Sequence, residues 1–205
     1  MSQHLAESPL FGMAVAFHGH KCPAMPLGLR AGAAAMAKLG VERARNKELV
    51  ALCETGSSHP MGCFADGVMS ATGCTAGKGN FIKKYRDKLA FTLIEAASGR
   101  AVRVVVRAPV VERNLAGPFV SLRREGVPPQ DIDAAVVDPL IHGILTKPEA
   151  DLLDVSDVFE MEPPKPVGSF KAIACAKCGE EVFVHGARVA PDGTVVCIPC
   201  SGYEG

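Results

Sequence analysis

The sequence predicts an α+β fold in which a small mixed sheet packs with helices, followed by a separate cysteine-rich module. Helical and strand patterns intermix along the first 160 residues, without the strict alternation of a doubly wound protein. The segment 161–168 contains three prolines and a glycine, a composition typical of an extended linker. Two CxxC pairs follow within the last 31 residues. We therefore divide the chain into a first domain at 1–160, a linker at 161–168 and a module at 169–205.

Three helices are predicted in the first half of the chain. Apolar residues recur at helical spacing in 9–17, and a second run, 26–39, starts with a proline and stops at Gly40, a favourable C-terminal cap. Small residues at Gly28 and Gly32 form a stripe on this second helix that would let another element approach closely. A third, shorter helix is predicted at 62–71.

The strands are predicted from apolar runs. Residues 48–53 form a buried strand, and 89–97 and 101–108 form two strands joined at Ser98-Gly99-Arg100, which is a hairpin signal. Three short helical segments are expected after the hairpin, at 119–125, 129–135 and 139–145.

The four C-terminal cysteines have the spacing of a zinc ribbon, CxxC, eighteen residues, CxxC. A module of about forty residues cannot bury enough apolar surface to fold alone, so we expect structural zinc to supply the missing stability. The predicted ligands are Cys175, Cys178, Cys197 and Cys200. The fold class is thus α+β with a C-terminal zinc ribbon.

Charge and hydropathy exclude several classes of partner. The formal net charge is zero, and the segment 167–205 has three basic and four acidic residues, so nucleic acid is not an expected partner. No run of eighteen apolar residues and no secretory signal is visible, so neither a membrane span nor export is expected. The other cysteines, Cys22, Cys53, Cys63 and Cys74, are then reduced thiols of a cytoplasmic protein.

A second group of metal-ligand residues lies near the N-terminus. His18, His20 and Cys22 alternate, so in an extended segment their side chains would point the same way. Imidazole and thiolate suit zinc, copper, nickel or iron. A helix follows, and its N-terminal dipole would lower the pKa of Cys22. The alternative is that these residues cap a helix or pack in the core.

Two further segments contain reactive side chains. Cys63 and Asp66 lie three apart on one face of the third helix, and the helix start would favour Cys63 as a thiolate. The glycine-rich segment 73–80 contains Lys78, but its spacing does not match a nucleotide P-loop. Cys53, within an apolar strand, is expected to be an inert core residue.

These motifs together resemble the FmdE family, which takes its name from a component of formylmethanofuran dehydrogenase. The resemblance begins with FHGHKCP at 17–23 and the glycine-spaced helix, and continues with Glu54, with Cys63-x-x-Asp66-Gly67 and with TGCTAGKGN at 72–80. The hairpin matches too. The C-terminal module resembles the four-cysteine finger of DksA/TraR-type proteins.

The resemblance implies a site in one cleft. The family motif positions are His18, His20, Cys22, Glu54, Cys63, Asp66, Cys74 and Lys78. Within it, the expected ligands of a second transition metal, zinc by preference, are His20, Cys22 and Cys63, with His18 as a substitute. Asp66 would orient a histidine or act as a base, and Lys78 would neutralise an anionic ligand. His18, Asp66 and Lys78 are therefore the candidate catalytic residues.

Three functions are consistent with this reasoning. The first is a metal-binding accessory protein that supports a molybdenum or tungsten pterin oxidoreductase or its supply of metal or a small ligand. The second is a stand-alone metalloenzyme with an open metal position. The third is a thiol-based redox regulator, in which Cys22 and Cys63 form a disulfide. We also expect a homodimer, because the glycine stripe invites helix packing and the family is associated with a larger assembly.

Overall fold

The computed structural model describes residues 8–57, 61–165 and 168–203 of the 205-residue chain. Its internal contacts divide the chain into two units, Met1–Pro163 and Pro164–Gly205. The division lies inside the predicted linker 161–168, of which residues 166–167 are outside the described part.

The described residues of the first unit form seven α-helices and six strands. In chain order, its elements are α1 Pro9–His18, α2 Ala24–Leu39, β1 Leu49–Cys53, α3 Met61–Thr72, β2 Phe81–Lys83, β3 Ala90–Glu95, β4 Arg100–Val106, α4 Ala108–Leu115, α5 Pro118–Arg124, a 3-10 turn Pro129–Asp131, α6 Ala134–Thr146, α7 Glu149–Leu152, β5 Leu153–Val155 and β6 Phe159–Glu160. This is the predicted α+β class.

The sheet is mixed, with the strand order β2-β1-β3-β4-β5, and β6 pairs with β4. β1 and β2 are parallel, whereas the other pairs are antiparallel. Side chains alternate between the two faces. Leu49 and Ala51 join the main core with the helices, and Val50 joins a smaller cluster on the other face. The predicted hairpin is confirmed, since β3 and β4 pair through the turn at Gly99, whose φ is 75°.

α2 and α3 pack unusually closely because both carry glycines at their contact. A Cβ atom at Gly28 would overlap the carbonyl oxygen of Phe64, and one at Gly67 would overlap that of Met25. A Cβ at Gly32 would lie 2.5 Å from the Cβ of Ala71. The predicted small-residue stripe therefore serves contact within the chain, and it gives no support to a dimer.

The helical part after the hairpin differs from the prediction. Residues 129–135 do not form one helix, because a 3-10 turn ends at Asp131 and α6 starts at Ala134. α6 then continues through Pro139. A proline inside a helix costs about 3 kcal/mol. The helix buries four large apolar side chains, worth about 1.5 to 3 kcal/mol each, so packing outweighs that cost. They are Val137, Ile141, Ile144 and Leu145.

The second unit is built from short strands around its cysteines. Its elements are β7 Ala172–Ala174, β8 Glu181–Phe183, a 3-10 turn Val184–Gly186, β9 Ala187–Val189, β10 Val195–Cys197 and α8 Ile198–Ser201. β7 pairs with β8 and β9 with β10, both antiparallel. Its core is small, with Cys175, Val196 and Cys197 as the buried members. So small a core is consistent with a need for a metal or another cross-link.

Within the described ranges, no helix has both the length and the apolar character needed to cross a lipid bilayer.

Candidate metal centre

The first cluster forms where α1 ends and α2 begins. His18 is the last residue of α1, and Gly19 adopts a left-handed conformation with φ of 91° while its amide donates to the Val15 carbonyl. This turn reverses the chain and brings His20 and Cys22 towards His18. The three residues therefore converge, as predicted, but the predicted reason, alternation along an extended segment, is wrong for His18, which is helical.

Cys63 reaches the same place from the first turn of α3. The glycine contacts between α2 and α3 hold the starts of these helices together, so that Cys63 lies beside Cys22. Both thiols are almost fully buried, at 2% exposure for Cys22 and 4% for Cys63, in a cluster of apolar side chains. Spacing along the chain could not reveal this contact, because 41 positions separate the two cysteines.

The four side chains are arranged closely enough to share one metal ion. One ligand atom from each lies within 4.8 Å of the others, a set formed by His18, His20, Cys22 and Cys63. The Sγ of Cys22 lies 3.5 Å from the Nε2 of His18, and the rings of His18 and His20 lie 4.3 Å apart between centroids. A tetrahedral zinc site has ligand atoms about 3.3 to 3.8 Å apart. The donor set and its size fit such a metal.

Asp66 holds His18 in place. Its carboxylate lies 2.8 Å from the Nδ1 of His18, one turn along α3 from Cys63. This hydrogen bond and the neighbouring Cys22 raise the pKa of His18 to about 9. A carboxylate on Nδ1 leaves Nε2 directed at the sulfur, and it is the common arrangement behind metal-bound histidines. Asp66 therefore contacts a histidine, as the resemblance implied.

The two buried thiols affect each other's ionisation in opposite directions. Hydrogen bonds from Cys63 and His18 lower the pKa of Cys22, in the predicted direction. Hydrogen bonding with Cys22 and burial raise the pKa of Cys63, so the expectation of a thiolate at Cys63 is wrong for the metal-free pair. The position at a helix start cannot overcome a second negative charge beside it. A bound cation supplies the charge that lets both thiols ionise.

The remaining residues of the family motif have other contacts. The carboxylate of Glu54 is 3% exposed and binds the guanidinium of Arg103 at 2.7 and 3.0 Å. Cys74 is buried with its Sγ 3.5 Å from the Leu49 carbonyl. Lys78 donates to the carbonyl of Arg45 at 3.2 Å. None of these described contacts involves the His/Cys cluster, and the ligand-neutralising role of Lys78 stays a prediction.

Arg103 is a structural partner that sequence reasoning missed. A single arginine within the apolar strand Val102-Arg103-Val104 was the available signal, because a charge in a buried strand usually has a partner. Burial leaves Cys53 in the main core with its Sγ 3.3 Å from the Thr55 hydroxyl, as expected for a core residue.

The second cluster consists of the four C-terminal cysteines. Their sulfurs also lie within 4.8 Å of one another, in the set Cys175, Cys178, Cys197 and Cys200. Cys175 precedes a tight turn in which the Gly179 amide donates to its carbonyl. The backbone amides of Cys178 and Cys197 lower the pKa of Cys175 to about 6. No disulfide joins the described cysteines. This arrangement fits a four-thiolate metal site.

The fold and the two clusters define the class of protein: an α+β domain with a His/Cys donor set, joined to a four-cysteine unit. A family profile described as "FmdE, Molybdenum formylmethanofuran dehydrogenase operon" matches residues 17–154. Because this is more than half of the chain, the protein belongs to the FmdE family. The resemblance seen in the sequence is thereby confirmed.

Two known proteins are similar over most of the chain. An FmdE-like protein of tungsten formylmethanofuran dehydrogenase, from Syntrophus aciditrophicus, has a crystal structure that matches with a TM-score of 0.59 and 23% identity, covering 92% of this chain and 88% of that one. A curated relative from Archaeoglobus fulgidus, named probable S-adenosyl-L-methionine-binding protein, is 31% identical over 200 residues. The match covers 91% of this chain and 50% of the relative, so the chain spans about half the length of that protein.

Proposed function

We propose that this chain is a metal-binding accessory protein that supports a molybdenum or tungsten pterin oxidoreductase, or the supply of its metal or ligand. The observation that carries the proposal is the convergence of His18, His20, Cys22 and Cys63, with Asp66 bound behind His18. The proposed ligands are these four, so His18 joins the set as a full member. Its Nε2 already faces the sulfur of Cys22.

A set of four donors supports holding a metal ion more than open-site catalysis. Catalytic zinc keeps one coordination position for water or substrate, whereas structural sites are closed by protein ligands. Four donors at mutual ligand distance fill a tetrahedral shell. They also engage Cys22 and Cys63 as metal ligands, which argues against a resting role of these two thiols as a redox sensor.

The chemistry of the donors selects the metals. Imidazole and thiolate together favour zinc, with copper, nickel and iron as competitors. We assign zinc to the His/Cys site by preference. We assign structural zinc to the four-cysteine unit, where metal binding would supply folding free energy. When bound, the metal would fix the ends of α1, α2 and α3 relative to one another, while Asp66 orients the imidazole of His18.

The accessory role rests on the relatives. The family description refers to the operon of a molybdenum enzyme, and the Syntrophus protein is described by its likeness to a component of a tungsten enzyme. These descriptions support an oxidoreductase of that class as the partner. We retain a cytoplasmic location and a homodimer as proposals. The dimer now rests on the family analogy alone, and light scattering that gave a monomer mass near 21.5 kDa at tens of micromolar would exclude it.

Gene deletion tests the accessory role. Extracts of a strain without this gene should lose molybdenum- or tungsten-dependent oxidoreductase activity, and the wild-type gene should restore it. A Cys22→Ser gene should fail to restore it, whereas Cys53→Ser, a matched change at a buried cysteine outside the cluster, should succeed. Undiminished activity in the deletion strain would overturn the proposal.

A further inference from the structure

A cavity of about 370 Å³ lies beside α3, with Asp66 as part of its lining. Ala65, Met69 and Phe81 give it apolar walls, and polar groups come from Asp66, Lys83 and Tyr85. Small-molecule sites commonly measure about 300 to 1,000 Å³ and combine apolar walls with a few polar groups. The cavity therefore has the size and lining of a ligand site.

Tyr85 stands at this cavity in a strained conformation. Its φ is 49° and that of Asp87 is 52°, and these are the non-glycine residues with positive φ in the described chain. A bulky residue rarely adopts this conformation, and such strain concentrates at functional sites. The tyrosine is also 64% exposed, so burial of its ring does not compensate for the strain within the protein.

The surrounding chain holds the strained segment firmly. The amides of Arg86 and Lys88 both donate to the carbonyl of Glu54, at 3.1 and 3.2 Å. The carboxylate of Asp87 occupies the space where a Cβ of residue 56 would be, which is why glycine is required there. The segment is thus fixed by the same Glu54 whose side chain binds Arg103.

Lys83 adds a positive charge at the cavity. Its ammonium donates to the Gly56 carbonyl at 2.8 Å and lies 5.3 Å from the centre of the Tyr85 ring. An ammonium has three N–H donors, so one carbonyl leaves capacity for an anion. The segment 83–88 contains four basic residues and one acid, a formal charge of +3, which further favours a negative ligand.

We propose that this cavity binds a small organic monoanion with a flat apolar body, of the aromatic carboxylate type. The carboxylate pairs with Lys83, and the flat body lies between the Tyr85 ring and the apolar wall at Met69 and Phe81. The negative charge of Asp66 disfavours a dianion and directs the ligand's carboxylate away from itself, towards Lys83. This assignment does not depend on which metal the His/Cys cluster holds.

Three probes added to the full-length protein test the ligand class: benzoate, benzyl alcohol and cyclohexanecarboxylate. Ligand-observed NMR should show benzoate binding with a Kd in the millimolar range or below. Loss of the charge in benzyl alcohol should weaken binding about tenfold or more, because a charged hydrogen bond is lost. The non-planar cyclohexanecarboxylate should also bind more weakly. Absence of benzoate binding, or equal binding of all three probes, would overturn the proposal.

Variants locate the site. Lys83→Met should weaken benzoate binding about tenfold, while Lys84→Met, the next lysine along the chain, should leave it within about twofold. Tyr85→Ala and Tyr85→Gly should both abolish binding, and the control Tyr203→Leu in the other unit should not. Tyr85→Gly should melt at a higher temperature than Tyr85→Ala, because glycine accepts the left-handed backbone. Benzoate binding that survives in either folded Tyr85 variant would place the ligand elsewhere.

Discussion

The Nδ1 atom of His18 lies 2.8 Å from the carboxylate of Asp66, although 48 positions separate the two residues. The contact joins the end of α1 to the first half of α3. It fixes the imidazole so that its other nitrogen, Nε2, lies 3.5 Å from the sulfur of Cys22. The hydrogen bond therefore arranges a ligand before any metal arrives.

Replacement of Asp66 by asparagine should weaken metal binding at the His/Cys cluster. The amide cannot stabilise the imidazole orientation and charge as a carboxylate does, and loss of such a supporting partner typically costs about 10- to 100-fold in affinity. Competition with a chromophoric chelator would measure the change.

The matched control for this variant is Asp138→Asn. Asp138 is a half-exposed carboxylate that pairs with Lys21 at 2.9 Å, and it lies outside the donor set of the cluster. Its replacement should leave the affinity unchanged. Equal affinities for Asp66→Asn and wild type would show that the hydrogen bond has no role in metal binding.

Gly28→Ala should destabilise the first unit strongly. The new Cβ would overlap the carbonyl oxygen of Phe64, which belongs to the backbone and cannot rotate away. Separation of α2 and α3 should cost about 2 to 3 kcal/mol in the free energy of unfolding. Urea unfolding would measure it, with Gly12→Ala in α1 as the control. No described atom lies within 4 Å of a Cβ at Gly12, so that variant should be neutral or slightly stabilised.

The ion pair of Glu54 and Arg103 should make stability depend on acid pH. The guanidinium of Arg103 holds the pKa of Glu54 below its ordinary value of about 4.5. In the unfolded chain the carboxyl takes up a proton first as the pH falls. The contribution is therefore complete well above pH 4.5 and is lost as the pH falls through the lower folded-state pKa.

Glu54→Gln tests this contribution by urea unfolding at about pH 7 and about pH 3. The variant should lose about 2 kcal/mol at the higher pH and should show a smaller loss than wild type between the two pH values. The more exposed pair of Glu95 and Arg100 supplies a control, and Glu95→Gln should change stability by less than about 1 kcal/mol. Parallel pH profiles for wild type and Glu54→Gln would contradict the assignment.

Local signals are sufficient to predict most elements of the fold. α1, α2, α3 and the hairpin have clear apolar periodicity and caps, and they lie within about two residues of the predicted bounds. β2 is not predictable in this way, because its three residues have no periodicity of their own and their pairing with β1 is set by tertiary contact. The sequence favours a helix start at Pro139, but the buried face of α6 carries the helix through it.

The candidate centre is predictable in composition but not in geometry. The His18, His20 and Cys22 motif indicates metal ligands, whereas the approach of Cys63 depends on glycine contacts between two helices that spacing does not encode. The cleft implied by the resemblance is too inclusive. Glu54 and Cys74 are tied to Arg103 and to β1, where burial and hydrogen bonding explain them without a ligand.

Removal of the C-terminal unit should leave the first unit folded. A chain ending after Glu162 retains the sheet and both main helical clusters, which lie within Met1–Pro163. It should unfold cooperatively in urea, with a midpoint close to that of the first unit in the full chain. Loss of cooperative unfolding would mean that the four-cysteine unit is required for the first unit's stability.

The number of metal ions per chain tests the central claim most directly. Elemental analysis of the purified full-length protein should give two metal ions per chain, since the chain holds two separate four-donor sets. The Cys22→Ser/Cys63→Ser variant should retain one, and Cys178→Ser/Cys200→Ser should retain the other. A single ion per chain, kept in full by the Cys22→Ser/Cys63→Ser variant, would contradict a metal centre at the His/Cys cluster.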